Sequence, residues 1–168
     1  MVQSSATAFA ELKSPDAAVR RQAAEHFLKT PADTRTAAVA LVMAVGDEDE
    51  QVREAAVGAL ESLEAPLEQD IPRLAKLLAD SAKQADVAYW AATLLGRAKE
   101  AAAEAVPALA AALRDTWPMA VRQRAAWALG RMGPAARAAE SELQAAAASD
   151  DPRLARLAAE ALTAIARS

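Results

Sequence analysis

One spacing recurs five times along the 168 residues: an apolar residue, Ala four positions later, and a large apolar residue eight positions later. The instances are Val19/Ala23/Phe27, Val52/Ala56/Leu60, Val87/Ala91/Leu95, Val121/Ala125/Leu129 and Leu154/Ala158/Leu162. Their first members lie 33, 35, 34 and 33 residues apart. A second mark, Ser14, Asp47, Asp80, Asp115 and Ser149, precedes each motif at intervals of 33, 33, 35 and 34. Two independent marks with one period define an internal repeat, which constrains the fold more than any single segment does.

Positions i, i+4 and i+8 form one stripe on a helix, so each motif sits on an amphipathic helix, B. The Ser/Asp mark reads as its N-cap, because a short side-chain oxygen accepts from the unpaired amides of the first turn. Ser14-Pro15 gives the clearest form of that signal, a cap followed by proline. An apolar helix, A, precedes each mark, as in Val39/Val42/Val45, Ile71/Leu74/Leu77/Leu78 and Val106/Leu109/Leu113. Pro31, Pro72 and Pro107 fall near helix starts, and Gly46 and Gly133 near helix ends. The expected pairs are 4–13 with 15–28, 31–45 with 49–63, 68–79 with 82–97, 101–113 with 118–132, and 135–148 with 151–167. These boundaries define repeats at about 4–28, 31–63, 68–97, 101–132 and 135–167 in a single domain over 1–168.

Composition agrees with an all-helical chain. Fifty residues are alanine, the best helix former, and only five are glycine. Leu, Ile, Val and Phe number 32, too few for a sandwich or barrel rich in β-branched and aromatic side chains. The net charge is only −4, so alanine replaces large apolar residues without the charge excess that accompanies disorder. There is no cysteine, which removes disulfides and thiolate chemistry and fits a reducing cytoplasm. Met1-Val2-Gln3-Ser4-Ser5 has no basic leader character, and no apolar run is long enough for a membrane span. A pI near 5.1 opposes phosphate neutralisation, so nucleic acid is not the expected partner.

The helix-B segments carry a further resemblance. Asp49-Glu50-Gln51-Val52-Arg53-Glu54-Ala55-Ala56-Val57-Gly58-Ala59-Leu60 and Val121-Arg122-Gln123-Arg124-Ala125-Ala126-Trp127-Ala128-Leu129-Gly130 resemble the HEAT repeat family. The likeness is nearest to the short bacterial HEAT-like type first named for phycobilisome lyases. Val106-Pro107-Ala108-Leu109, ending at Arg114-Asp115, resembles that family's first helix. An arginine follows the motif start at Arg20, Arg53 and Arg122, whereas the third repeat has Ala88 there and the first helix pair matches only loosely. The resemblance implies a right-handed α-solenoid of five helix pairs, with B helices lining a concave surface, and use as an interaction scaffold.

Catalytic chemistry is hard to place on this chain. His26 is the only histidine, which excludes a His/Glu metal cluster. No Gly-rich phosphate loop, serine elbow or metal-ligand spacing is present. Asp47-Glu48-Asp49-Glu50 lacks the spacing of a calcium loop and reads as acids at a helix start. The expectation is a non-catalytic protein without metal or cofactor. The alternative from the resemblance is a bilin-lyase-type enzyme or accessory subunit acting on a chromophore.

The face opposite the apolar stripe falls two, six and ten residues after each motif start. In the third and fourth repeats it holds Tyr89, Thr93, Arg97, Gln123, Trp127 and Arg131, the candidate partner-binding residues. Aromatic residues and arginine are the types enriched at binding hot spots. A groove for a protein or peptide segment and packing between repeats are both open readings of Tyr89 and Trp127. Trp90, one position along, reads as lying between repeats, and Trp117 as lying in a turn. Charge is uneven too: residues 47–70 hold nine acids against Arg53, and residues 114–137 hold five arginines against Asp115. Such polarity orients a complementary partner. Leu157 beside Leu154 and Ile165 offers an apolar solenoid end, a route to homo-oligomers.

Overall fold

The computed structural model describes residues 4–167, so Met1-Val2-Gln3 and Ser168 lie outside the described residues. Two compact units divide the chain, Met1–Leu67 and Glu68–Ser168. The first holds α1 (Ser5–Glu11), α2 (Ala17–Lys29), α3 (Pro31–Thr34), α4 (Ala38–Ala44) and α5 (Glu50–Glu61), with a 3-10 turn at Arg35–Ala37. The second holds α6 (Ile71–Asp80), α7 (Ala85–Ala98), α8 (Val106–Ala111), α9 (Met119–Met132), α10 (Glu140–Ala147) and α11 (Pro152–Ala166). Three 3-10 segments, Glu68–Asp70, Lys99–Ala105 and Gly133–Ala139, precede α6, α8 and α10.

The motif helices are α2, α5, α7, α9 and α11, and each packs on the helix before it. Within the units α2 also stacks on α5, and α9 lies between α7 and α11. The alanine slot explains how helices approach so closely: Ala23, Ala56, Ala91, Ala125 and Ala158 have no exposed surface. Phe27, Leu60, Leu95 and Leu129 are equally buried beside them, while Leu162, in the last helix, is half-buried. Val19, at the opposite end, is half-buried as well. One glycine is required by the same closeness. A Cβ on Gly96 of α7 would stand 2.5 Å from Trp127 Cζ3 and 2.9 Å from Ala128 Cα of α9.

Several first helices are broken where the sequence pattern predicts continuity. The expected 101–113 helix is a 3-10 stretch, Lys99–Ala105, followed by α8, with Ala102 out of helical geometry. Pro107 supplies the reason: it has no N–H for the Ala103 carbonyl, which accepts instead from Val106, three residues on.

The helix starts also differ from expectation. Caps of α2, α5 and α11 are Asp16, Asp49 and Asp151, each two residues after the periodic mark. Ser14, Asp47 and Ser149 accept from the amides of those cap residues, so the marks form the turn leading into the cap. Pro15 is therefore outside the helix. In the other repeats Asp80 closes α6 in an ion pair with Lys76, Asp115 lies in a turn, and α7 and α9 start without a side-chain cap.

Candidate partner-binding cleft

The motif arginines hold the turns rather than a partner. Arg20 Nη1 donates to the carbonyls of Ser14 and Pro15 at 2.9 and 3.1 Å. Its Nε and Nη2 meet both oxygens of Asp47, in the next repeat, at 2.7 and 2.8 Å. This bidentate pair holds the Asp47 carboxyl below the usual carboxylate range, and Asp47 in turn raises the Arg20 guanidinium. Arg53 repeats the arrangement on the carbonyls of Asp47 and Glu48, and Arg122 on that of Leu113. Asp49 caps α5 through its Oδ1, so Asp47 and Asp49 of the acidic run are engaged in turn and cap.

His26 is half-buried and belongs to a small polar cluster. Its Nε2 lies 3.1 Å from Ser5 Oγ, which donates to Asp33 Oδ2 at 2.6 Å. The residue types are those of a hydrolytic triad but the order is not, since there the carboxylate orients the histidine. Here it binds the serine.

A second constellation lies on the motif helices of the second unit. Tyr89 of α7, Ala120, Gln123, Arg124 and Trp127 of α9, and Arg153 and Leu157 of α11 line a cleft of about 290 Å³. Three of the candidate residues, Tyr89, Gln123 and Trp127, meet there. The Arg124 guanidinium lies 4.4 Å from the Tyr89 ring centre and 4.9 Å from that of Trp127. It also donates to the Tyr89 hydroxyl. Burial, together with the charge of Arg153, lowers the Arg124 pKa below its usual value. Gln123 Nε2 donates to Asp151 Oδ1 at 2.9 Å, tying α9 to the cap of α11.

The other candidates take different places. Arg131 is exposed and lines an adjoining cleft with Trp127, Gly130, Leu157 and Glu160. Arg97 lies over Trp90, 5.8 Å from its ring centre, rather than in either cleft. Thr93 corrects the outward expectation: it is 3% exposed, and its hydroxyl donates to the Tyr89 carbonyl. The packing of α9 on α7 covers that position. Trp127 serves two purposes, because its ring edge abuts Gly96 while its face meets Arg124. Trp117 is in the bend before α9, as its spacing implies. The apolar end expected at α11 is largely covered, with Leu154 and Ile165 buried and Leu157 half-buried.

Ala120, Arg124, Arg153 and Leu157 are the lining residues that counting two, six and ten misses. At about 100° per residue, the position before a motif start falls near 260° and the position three after it near 300°. The first lies within the outward arc, which runs from about 200° to 280°, and the second just beyond its edge. Ala120 and Arg153 occupy the first of these positions, and Arg124 and Leu157 the second.

Two matches to HEAT repeats, over residues 5–85 and 71–163, span nearly the whole chain, which belongs to the HEAT repeat family. Among solved structures it is similar to the complex of CpcE and CpcF of phycocyanin lyase from Nostoc sp. PCC7120. The TM-score there is 0.68 at 24% identity, over 99% of this chain and 66% of that one. It is similar also to a designed armadillo repeat protein in complex with the peptide (KR)4, with TM-score 0.65, 18% identity, and coverage of 95% and 80%. An engineered protein of the Northeast Structural Genomics Consortium matches with TM-score 0.64 and 22% identity, over 96% and 78%. These likenesses carry the fold, an all-α solenoid of paired helices. No curated protein matches the chain. Among the described residues no helix is long and apolar enough to cross a membrane, and no three potential ligands group as a metal site.

Proposed function

We propose that the chain is a non-catalytic interaction module that holds a segment of another protein on the motif-helix face of its second unit. The observation that supports this most directly is the convergence of Tyr89, Gln123, Arg124, Trp127 and Arg153 on one cleft from three successive motif helices. About 290 Å³ is at the small end of ligand sites and suits a side chain better than a free cofactor. Repeat arrays offer extended surfaces of this kind, and similar folds occur in the CpcE–CpcF complex and in a peptide-bound armadillo design.

The test begins with a partner captured from the native host and then purified. Tyr89→Ala is expected to weaken its binding by about tenfold, the size of a modest hot spot, with a nearly unchanged melting temperature. Binding that survives both Tyr89→Ala and Arg153→Ala removes this reading. So does a melting temperature that falls by several degrees in Tyr89→Ala, because the ring is then packing.

A further inference from the structure

The second-unit cleft contains two cations and no acid among its lining residues. Neither Arg124 nor Arg153 has a carboxylate within ion-pair distance among the described residues. Two acids beside the cleft, Asp151 and Glu160, are engaged elsewhere. Asp151 accepts from the Leu154 amide at 2.7 Å and from Gln123, and Glu160, in the adjoining cleft, pairs with Arg156 at 2.7 Å. Arg153 also stands in the first turn of α11, where the positive helix end disfavours a cation. Arg124 is half-buried, with Tyr89 and Trp127 against its guanidinium. Two like charges near one another, Arg153 at a positive helix end and Arg124 half-buried within α9, work against folding; local rules are broken in this way mainly at functional sites.

We infer that this cleft receives a carboxylate side chain of an acidic partner segment, held between Arg124 and Arg153, with an adjacent apolar residue against Trp127 and Leu157. The inference rests on the interaction reading above and names the chemistry of its partner. Arg124 is restrained by the rings and by its bond to the Tyr89 hydroxyl, so little side-chain freedom remains to be lost on binding. A guanidinium matches a carboxylate through paired N–H donors. Burial around Arg124 strengthens that attraction relative to an exposed pair. A nucleic-acid backbone fits less well, because two cations make no phosphate track and the whole chain is net −4.

The experiment titrates the full chain with an acetylated, amidated octapeptide of alternating Glu and Leu, its Gln/Leu counterpart, inorganic phosphate and an RNA octanucleotide. Calorimetry gives affinities, and NMR follows the arginine Nε–H and tryptophan indole N–H signals. The Glu/Leu peptide is expected to bind at least about tenfold more tightly than the Gln/Leu peptide, as one charge-assisted contact implies. Arg153→Gln is expected to remove most of that difference while leaving the fold intact, since Arg153 is exposed. Arg153→Glu is expected to turn the preference toward a Lys/Leu octapeptide. Equal binding of the Glu/Leu and Gln/Leu peptides overturns the carboxylate assignment and leaves the interaction reading standing. Tighter binding of RNA or phosphate than of the Glu/Leu peptide overturns it in favour of a phosphate site. No response to any probe at the arginine and indole signals overturns it as well. The interaction reading itself falls with the native-partner test on Tyr89→Ala and Arg153→Ala or with the Tyr89→Ala melt, and not with these titrations.

Discussion

In the first unit, Arg21 and Lys29 line a cleft together with Glu25 and Glu54; in the second, Arg124 and Arg153 line one that holds no acid. The two clefts use corresponding repeat positions. With α2 and α5 set on α9 and α11, Arg21 corresponds to Gln123, Glu25 to Trp127 and Gln51 to Arg153. In the first, Glu25 lies 3.7 Å from Arg21 and 3.5 Å from Lys29, and Arg21 also donates to Gln51. Charges that satisfy one another on one surface have little left for a partner. The same backbone surface thus becomes either a face of paired charges or one with unpaired cations through substitutions at a few outward positions. The alanine slot beneath is unchanged.

The largest expected difference between the units comes from their glycines. Gly96→Ala drives a Cβ into Ala128 Cα and the Trp127 ring, so it is expected to destabilise by about 1–3 kcal/mol through overpacking. Gly58→Ala meets only Leu28 Cδ1, at 3.0 Å, on a side chain that is 42% exposed and can move. It is expected to be neutral or slightly stabilising, because alanine favours the helix. Thermal melts of the two variants check the contrast, and equal losses would break it.

Next in size is the arginine clamp. Arg20→Ala removes two carbonyl bonds and a bidentate carboxylate pair, whereas Arg122→Ala removes its bond to the Leu113 carbonyl. The first is expected to lower the melting temperature by several degrees and the second by clearly less.

Acid and base dependence should separate the units further. Asp47 has a depressed folded pKa, so its contribution is complete above the unfolded value near 3.9 and is lost as pH falls through the folded one. Asp47→Asn is expected to remove part of the acid sensitivity seen in melts between about pH 5 and pH 2. Asp70 has the opposite sign. Burial raises its pKa, so its relative stability is present below about 3.9 and is lost as pH rises through the folded value. Asp70→Asn is expected to raise the melting temperature slightly at pH 7 and to leave it unchanged at pH 3. A gain that persists at low pH would show that burial of the charge is not the cause.

Smallest in stability is Arg153→Gln, which removes a cation from the first turn of α11 and the charge beside Arg124. It is expected to leave the melting temperature level or a fraction of a degree higher, while reducing partner binding. Arg21→Gln in the first unit is expected to leave that binding unchanged.

The repeats were legible because burial acts on every turn of a helix and leaves its period in the residues. Ala23, Ala56, Ala91, Ala125 and Ala158 announce both the helix and its buried side. The caps were displaced by two residues because Ser14-Pro15-Asp16, Asp47-Glu48-Asp49 and Ser149-Asp150-Asp151 each place a second capping-type side chain, an aspartate, two residues after the mark. Sequence alone does not rank a turn residue against a cap. Tyr89, Gln123 and Trp127 were legible as an outward group. Arg124 and Arg153 were not, since three positions stood in for a continuous arc, with Arg153 inside it and Arg124 at its rim. Thr93 was misplaced because the packing of α9 on α7, a tertiary matter, decides its exposure.

The buried alanine slots have a thermodynamic consequence. A methyl group conceals little apolar surface, so unfolding exposes less of it per residue than in a core of leucine and phenylalanine. Heat-capacity change follows that exposure. This solenoid is therefore expected to fall below the usual 12–15 cal/mol/K per residue, roughly, with a stability curve flatter in temperature than that of an ordinary domain of equal length.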